Sequence, residues 1–113
     1  GEYVFCTLRD GVLPGGLEIV GSFREQEGLT VIVERSRAEQ AGFSFDYVAA
    51  WITLNVHSAL EAVGLTAAFA TALGRAGISC NVVAGYYHDH LFVGQADAER
   101  AMQVLRDLAA NAE

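Results

Sequence analysis

Few residues in this 113-residue chain are of types that carry chemistry: three histidines, two cysteines and no lysine. Two of the histidines flank an aspartate in residues 84–94, AGYYHDHLFVG, and the third is His57 in VHSALEAVG. His57, Asp89 and His90, with Glu61 close to His57 in sequence, offer three or four nitrogen and oxygen ligands. That is enough for zinc or a similar ion if the fold gathers them. No HExxH or paired-cysteine spacing supports a metal, so none is assigned, and His88 and Asp89 read more plainly as a solvated turn. Ser58 beside His57 has the residue types of a nucleophile and its base. Neighbours on a strand point to opposite faces, however, and no oxyanion hole is evident. Without lysine there is neither Schiff-base chemistry nor a P-loop. Cys6 and Cys80 stand in apolar runs without CxxC spacing or an electropositive neighbourhood, and read as buried free thiols of a reducing cytoplasm. The chain is therefore read as non-catalytic, and no cofactor is called for.

The elements that position these residues follow from periodicity. Residues 3–8 (YVFCTL) alternate and are rich in β-formers, and residues 9–16 (RDGVLPGG) are a loop. Residues 18–25 and 29–34 read as a hairpin with Gly28 supplying a permissive backbone. Ser36 and Glu39 have the spacing of a capping box and Gly42 that of a helix stop, so a helix of about two turns is expected between them. Residues 50–56 (AWITLNV) alternate strictly, with Ile52, Leu54 and Val56 on one face and Trp51, Thr53 and Asn55 on the other. Leu65, Phe69, Ala72, Leu73 and Ala76 then recur at helical spacing up to Gly77.

Residues 79–86 and 90–93 read as a second hairpin. With His88-Asp89 as a two-residue turn, Tyr87 pairs with His90, and Tyr86 pairs with Leu91 in the core. A last helix starts near Asp97. From residue 49 the order is β-α-β-β-α, a split β-α-β unit of the ferredoxin-like kind without its final strand. In that plan the third strand lies between the other two, which brings His57 towards His90. Trp51, Val83, Tyr87 and Phe92 crowd the sheet face away from the helices, so that face is expected to be covered by the N-terminal half or a second subunit.

Fourteen acids against seven arginines give a net charge of −7, with no basic patch, which argues against nucleic acid and anionic membrane surfaces. No apolar run reaches transmembrane length. The chain opens on a strand-like run without methionine, so a preceding segment is expected either to have been trimmed or to lie outside these residues.

Residues 77–105, GISCNVVAGYYHDHLFVGQADAERAMQVL, resemble the second half of an ACT domain, the small-molecule-sensing module of aspartate kinases and other enzymes of amino-acid metabolism. Residues 50–93 resemble more closely a bacterial family of small stand-alone ACT-like proteins related to the ACT pairs of arginine-sensing proteins. YVFCTL and FREQEGLTVIVE resemble the first, degenerate unit of that tandem. The resemblance implies an α+β, ferredoxin-like antiparallel sheet with helices on one face. Residues 1–48 would be a β-rich degenerate half that completes or extends the sheet, and residues 49–113 the ACT-like domain.

ACT domains bind their effector against the loop between the first strand and first helix, commonly at a subunit interface. Mapped onto this chain, the resemblance implies contacts from His57, Ser58, Glu61, Gly64, Leu65 and Thr66, with Asn81 and Val82 on the neighbouring strand and His90 facing the pocket. The acidic-x-Pro-Gly turn usual in that loop is absent here and only Gly64 keeps its place. Ser58 and Glu61 also form a capping box, which gives them a purely structural alternative. The expected protein is a cytoplasmic regulatory homodimer that binds a small molecule, an amino acid, and acts on a possible enzyme partner. The alternatives are a dimerising interaction module without a small ligand and a metal-binding protein using His57, Asp89 and His90.

Overall fold

A computed structural model describes residues 1–54 and 65–111 of the chain. The chain divides into two compact units, Gly1–Ala49 and Ala50–Glu113.

In the first unit, β1 (Tyr3–Leu8), β2 (Gly21–Glu25) and β3 (Gly28–Glu34) precede the helix α1 (Arg35–Ala41), and β4 (Val48–Leu54) begins at its end. β3 lies between β2 and β1, and both pairings are antiparallel. The opposite edge of β1 takes the first two residues of β4, Tyr3 facing Ala49 and Val4 facing Val48. Strand alternation places Val4, Cys6 and Leu8 on the same face as Val33, Val31 and Leu29, and Ala38 of α1 closes over them. Each fully buried valine there contributes about 1.5–3 kcal/mol of transfer free energy. Residues 9–20, between β1 and β2, form no helix.

Gly28 has a reason the hairpin reading did not contain. Its φ is +154°, and a Cβ there would lie 2.6 Å from the carbonyl oxygen of Leu8, so the neighbouring strand end forbids a side chain. The Ser36–Glu39 capping box does not form. The helix starts at Arg35 behind Glu34, and Ser36 Oγ instead donates to the Glu34 carboxylate at 2.7 Å. Gly42 (φ +74°) does end α1. Its N–H reaches the Glu39 carbonyl and that of Phe43 reaches the Ala38 carbonyl, a Schellman closure.

In the second unit, β4 is followed by α2 (Leu65–Arg75), β5 (Cys80–Ala84), β6 (Asp89–Gly94), a single 3₁₀ turn and α3 (Ala98–Asn111). The strand order is β4-β6-β5, so the third strand is inserted between the other two as the split unit requires. Ile52, Phe69, Leu73, Ile78, Leu91, Val93, Ala101 and Leu105 form its core, with α2 and α3 packed on one sheet face. A second Schellman closure at Gly77 turns the chain out of α2 and sends Ile78 back onto Leu73.

The second hairpin corrects the expected register. Cys80 pairs with Val93, Val82 with Leu91, Val83 with His90 and Ala84 with Asp89. The turn is therefore residues 85–88, closed by the Gly85 N–H donating to the His88 carbonyl at 2.9 Å. Tyr86 is in this turn and 76% exposed rather than in the core, stacked edge-on against Tyr87. The physical reason is the hydroxyl: a tyrosine opposite Leu91 needs a buried partner for it, whereas Val82 needs none. Asp89, expected in solvent, opens β6 and is only 6% exposed.

Candidate functional site

Of the residues expected to bind a ligand, His57, Ser58, Glu61 and Gly64 lie outside the described residues, as does Asn55. Leu65 and Thr66 open α2. Asn81, Val82 and His90 belong to the β5–β6 ladder, and their alternation divides them. Val82 faces the helices and packs on the core, whereas Asn81, opposite Phe92, and His90, opposite Val83, share the other face.

On that other face His90 is the best-positioned polar group. The Trp51 indole N–H donates to His90 Nδ1 at 3.0 Å, and the Thr53 hydroxyl lies 3.3 Å from the same nitrogen. The Trp51 and His90 rings are 5.6 Å apart and tilted by 55°. Trp51 is fixed in turn by stacking on Phe92, with centroids 6.0 Å apart and planes within 21°. Phe92 is 1% exposed, so this chain of ring contacts starts from a buried anchor. An indole nitrogen can only donate, so Nδ1 is the acceptor and the ring proton sits on Nε2.

Gly85 borders the Nε2 side of the ring: a Cβ there would lie 3.0 Å from Nε2 and 3.2 Å from Cδ2. The face of Trp51 and Thr53 follows from the strict alternation of residues 50–56, whereas the role of Gly85 does not show in the sequence pattern. Trp51 and Thr53 stand on the strand face opposite Ile52, and Gly85 breaks the apolar run just before the tyrosines.

Asp89 and His90 are consecutive on β6, so their side chains leave opposite faces of the strand and do not converge. Among the described residues no three His, Cys, Asp or Glu side chains are grouped to hold a metal ion. Cys6 and Cys80 are free thiols, and burial pushes both above the ordinary thiol range, the reverse of what a nucleophilic thiolate needs. Among the described residues no helix is long and apolar enough to cross a membrane.

The chain is thus a β-rich unit followed by a split β-α-β unit with paired helices on one sheet face. Two ACT-domain family models match the chain, one over residues 1–50 and the other over residues 47–107, and the chain belongs to the ACT-domain family. The two matches share residues 47–50, where β4 begins. No curated protein sequence matches the chain.

Among solved structures, a protein of unknown function from Vibrio cholerae, described as a possible transport protein, is 55% identical. It superposes with a TM-score of 0.87 over 93% of this chain and 81% of its own. A protein from Agrobacterium tumefaciens is 23% identical, with a TM-score of 0.76 over 96% of this chain and 83% of its own. The allosteric aspartate kinase of Clostridium acetobutylicum is 11% identical, with a TM-score of 0.64 over 95% of this chain and 32% of its own, a likeness of fold. ACT domains are generally regulatory modules that bind small ligands.

Proposed function

We propose that this chain is a non-catalytic sensing module of the cytoplasm whose second unit binds a small molecule, an amino acid. The contacts would come from residues 57–66, Asn81 and His90. The observation that carries this reading is the fixing of His90: on a sheet face away from the helices, two neighbours, Trp51 and Thr53, hold one imidazole in one orientation. A histidine needed only for solubility has no use for such support. The ACT-type match over both halves supplies the regulatory context, and the raised thiols of buried Cys6 and half-buried Cys80 count against cysteine catalysis. The reading includes a homodimer and an enzyme partner through which binding is felt. A thermal-shift screen of the full chain against the twenty amino acids tests it: one or a few should raise the melting temperature, and a blank screen would remove the amino-acid reading.

A second reading, an interaction module without a small ligand, has one observation in its favour. Tyr86 and Tyr87 stand 76% and 70% exposed at one hairpin tip, and tyrosine is a favoured interface residue. Light scattering over a concentration series measures the association that both readings invoke. In the second reading the association persists while the ligand screen stays empty.

A further inference from the structure

We propose that the Nε2 edge of His90, left bare by Gly85, is a carboxylate subsite. The inference rests on the small-ligand reading above and specifies which part of the ligand is held there and by what. Two neighbours converge on the other nitrogen: the Trp51 indole N–H at 3.0 Å and the Thr53 hydroxyl at 3.3 Å both address Nδ1. The indole cannot reverse its role, so the pair selects the tautomer with hydrogen on Nε2. Among the described residues nothing hydrogen-bonds to that Nε2–H. The ring is half-buried and anchored through Trp51 to the buried Phe92, so the donor is held in a fixed direction.

Gly85 is the second component. Its φ is not in the left-handed region, so backbone conformation does not demand glycine there. Space does: a side chain would meet Nε2 at 3.0 Å, Cδ2 at 3.2 Å and the His88 carbonyl oxygen at 2.9 Å. Any residue but glycine would cover the one nitrogen that Trp51 and Thr53 leave open. An oriented N–H recognises an acceptor, and a carboxylate makes the stronger, charge-assisted bond. In a chain of net charge −7 without lysine, a fixed neutral donor also binds an anion without needing a cation nearby.

The experiment uses the full chain labelled with 15N-histidine, and acetate as the carboxylate probe with chloride at equal ionic strength as control. A His88→Gln variant assists resonance assignment. Long-range 1H–15N spectra near neutral pH should show His90 with hydrogen on Nε2 and Nδ1 as acceptor, and Trp51→Phe should let the two tautomers mix. Acetate, but not chloride, should move the His90 Nε2 and Gly85 amide resonances saturably. His90→Gln, whose amide can still donate, should keep the saturable Gly85 response, and His90→Phe should weaken it at least ten-fold. Hydrogen on Nδ1, an acetate response no different from chloride, or undiminished binding by His90→Phe would each overturn the subsite.

The two proposals fail separately. Saturable acetate binding with an empty amino-acid screen leaves the subsite standing and removes the amino-acid reading. An amino acid that binds His90→Phe as tightly as the native chain does the reverse.

Discussion

The indole N–H of Trp51 donates to Nδ1 of His90 across 3.0 Å, joining residues 39 apart in sequence. Neighbouring strands β4 and β6 bring them together, and the bond makes Nδ1 of His90 the acceptor. Trp51→Phe keeps an aromatic ring beside Phe92 and removes the indole donor. Unfolding in urea should show a loss of about 0.5–1.5 kcal/mol, the net value of one hydrogen bond. A loss above 4 kcal/mol would mean that Trp51 is chiefly a packing residue.

The hairpin register makes a prediction of opposite kind at Tyr86. With the ring exposed in the turn, Tyr86→Ala should cost no more than about 1 kcal/mol, its contact with Tyr87 included. Truncating an aromatic in the core would cost about 3–5 kcal/mol. Denaturation of this single variant therefore separates the observed register from one that pairs Tyr86 with Leu91.

That register shows where sequence reasoning stops. The alternation of Trp51, Ile52, Thr53 and Leu54 assigns their faces, and Gly77 stops α2, because both signals are local. The expected and observed pairings of β5 with β6 differ by an even number of residues. Such a slip keeps Val82, Leu91 and Val93 on the core face in both registers, so periodicity cannot tell them apart. The hydroxyl of Tyr86 and the space at Gly85 decide it, and both depend on cross-strand geometry. His90 was legible as a candidate because strand order sends it towards the end of β4, whereas its partner Trp51 was legible only as a bulky residue needing cover.

Gly28 should resist replacement more strongly than a turn glycine in open space. Gly28→Ala forces a Cβ to within 2.6 Å of the Leu8 carbonyl oxygen at φ +154°. The expected cost exceeds about 1 kcal/mol. Gly11 also has a positive φ (+70°), but a Cβ there meets nothing within 4 Å, so Gly11→Ala should cost less. Equal losses in paired urea titrations would contradict the steric account.

The thiols give a pH dependence with a definite sign. Burial holds the folded values of Cys6 and Cys80 above the ordinary value, so at alkaline pH the folded chain retains protons that the unfolded chain has lost. Their contribution to stability is complete below the ordinary thiol value and is lost as pH rises through the folded one. Melting temperature should therefore fall on the alkaline side, and fall less in a Cys6→Ala, Cys80→Ala double variant compared with its own neutral-pH value. A disulfide reagent should label the native chain far more slowly than the urea-unfolded one.

In the proposed function a small ligand is sensed without being transformed. The most direct test is the melting temperature of the full chain against each of the twenty amino acids, with the fluorescence of Trp51, the sole tryptophan, followed in parallel. One or a few amino acids should raise the melting temperature in a saturable way, perturb Trp51 and be recovered unchanged. Twenty null results, or recovery of a chemically altered amino acid, would contradict it.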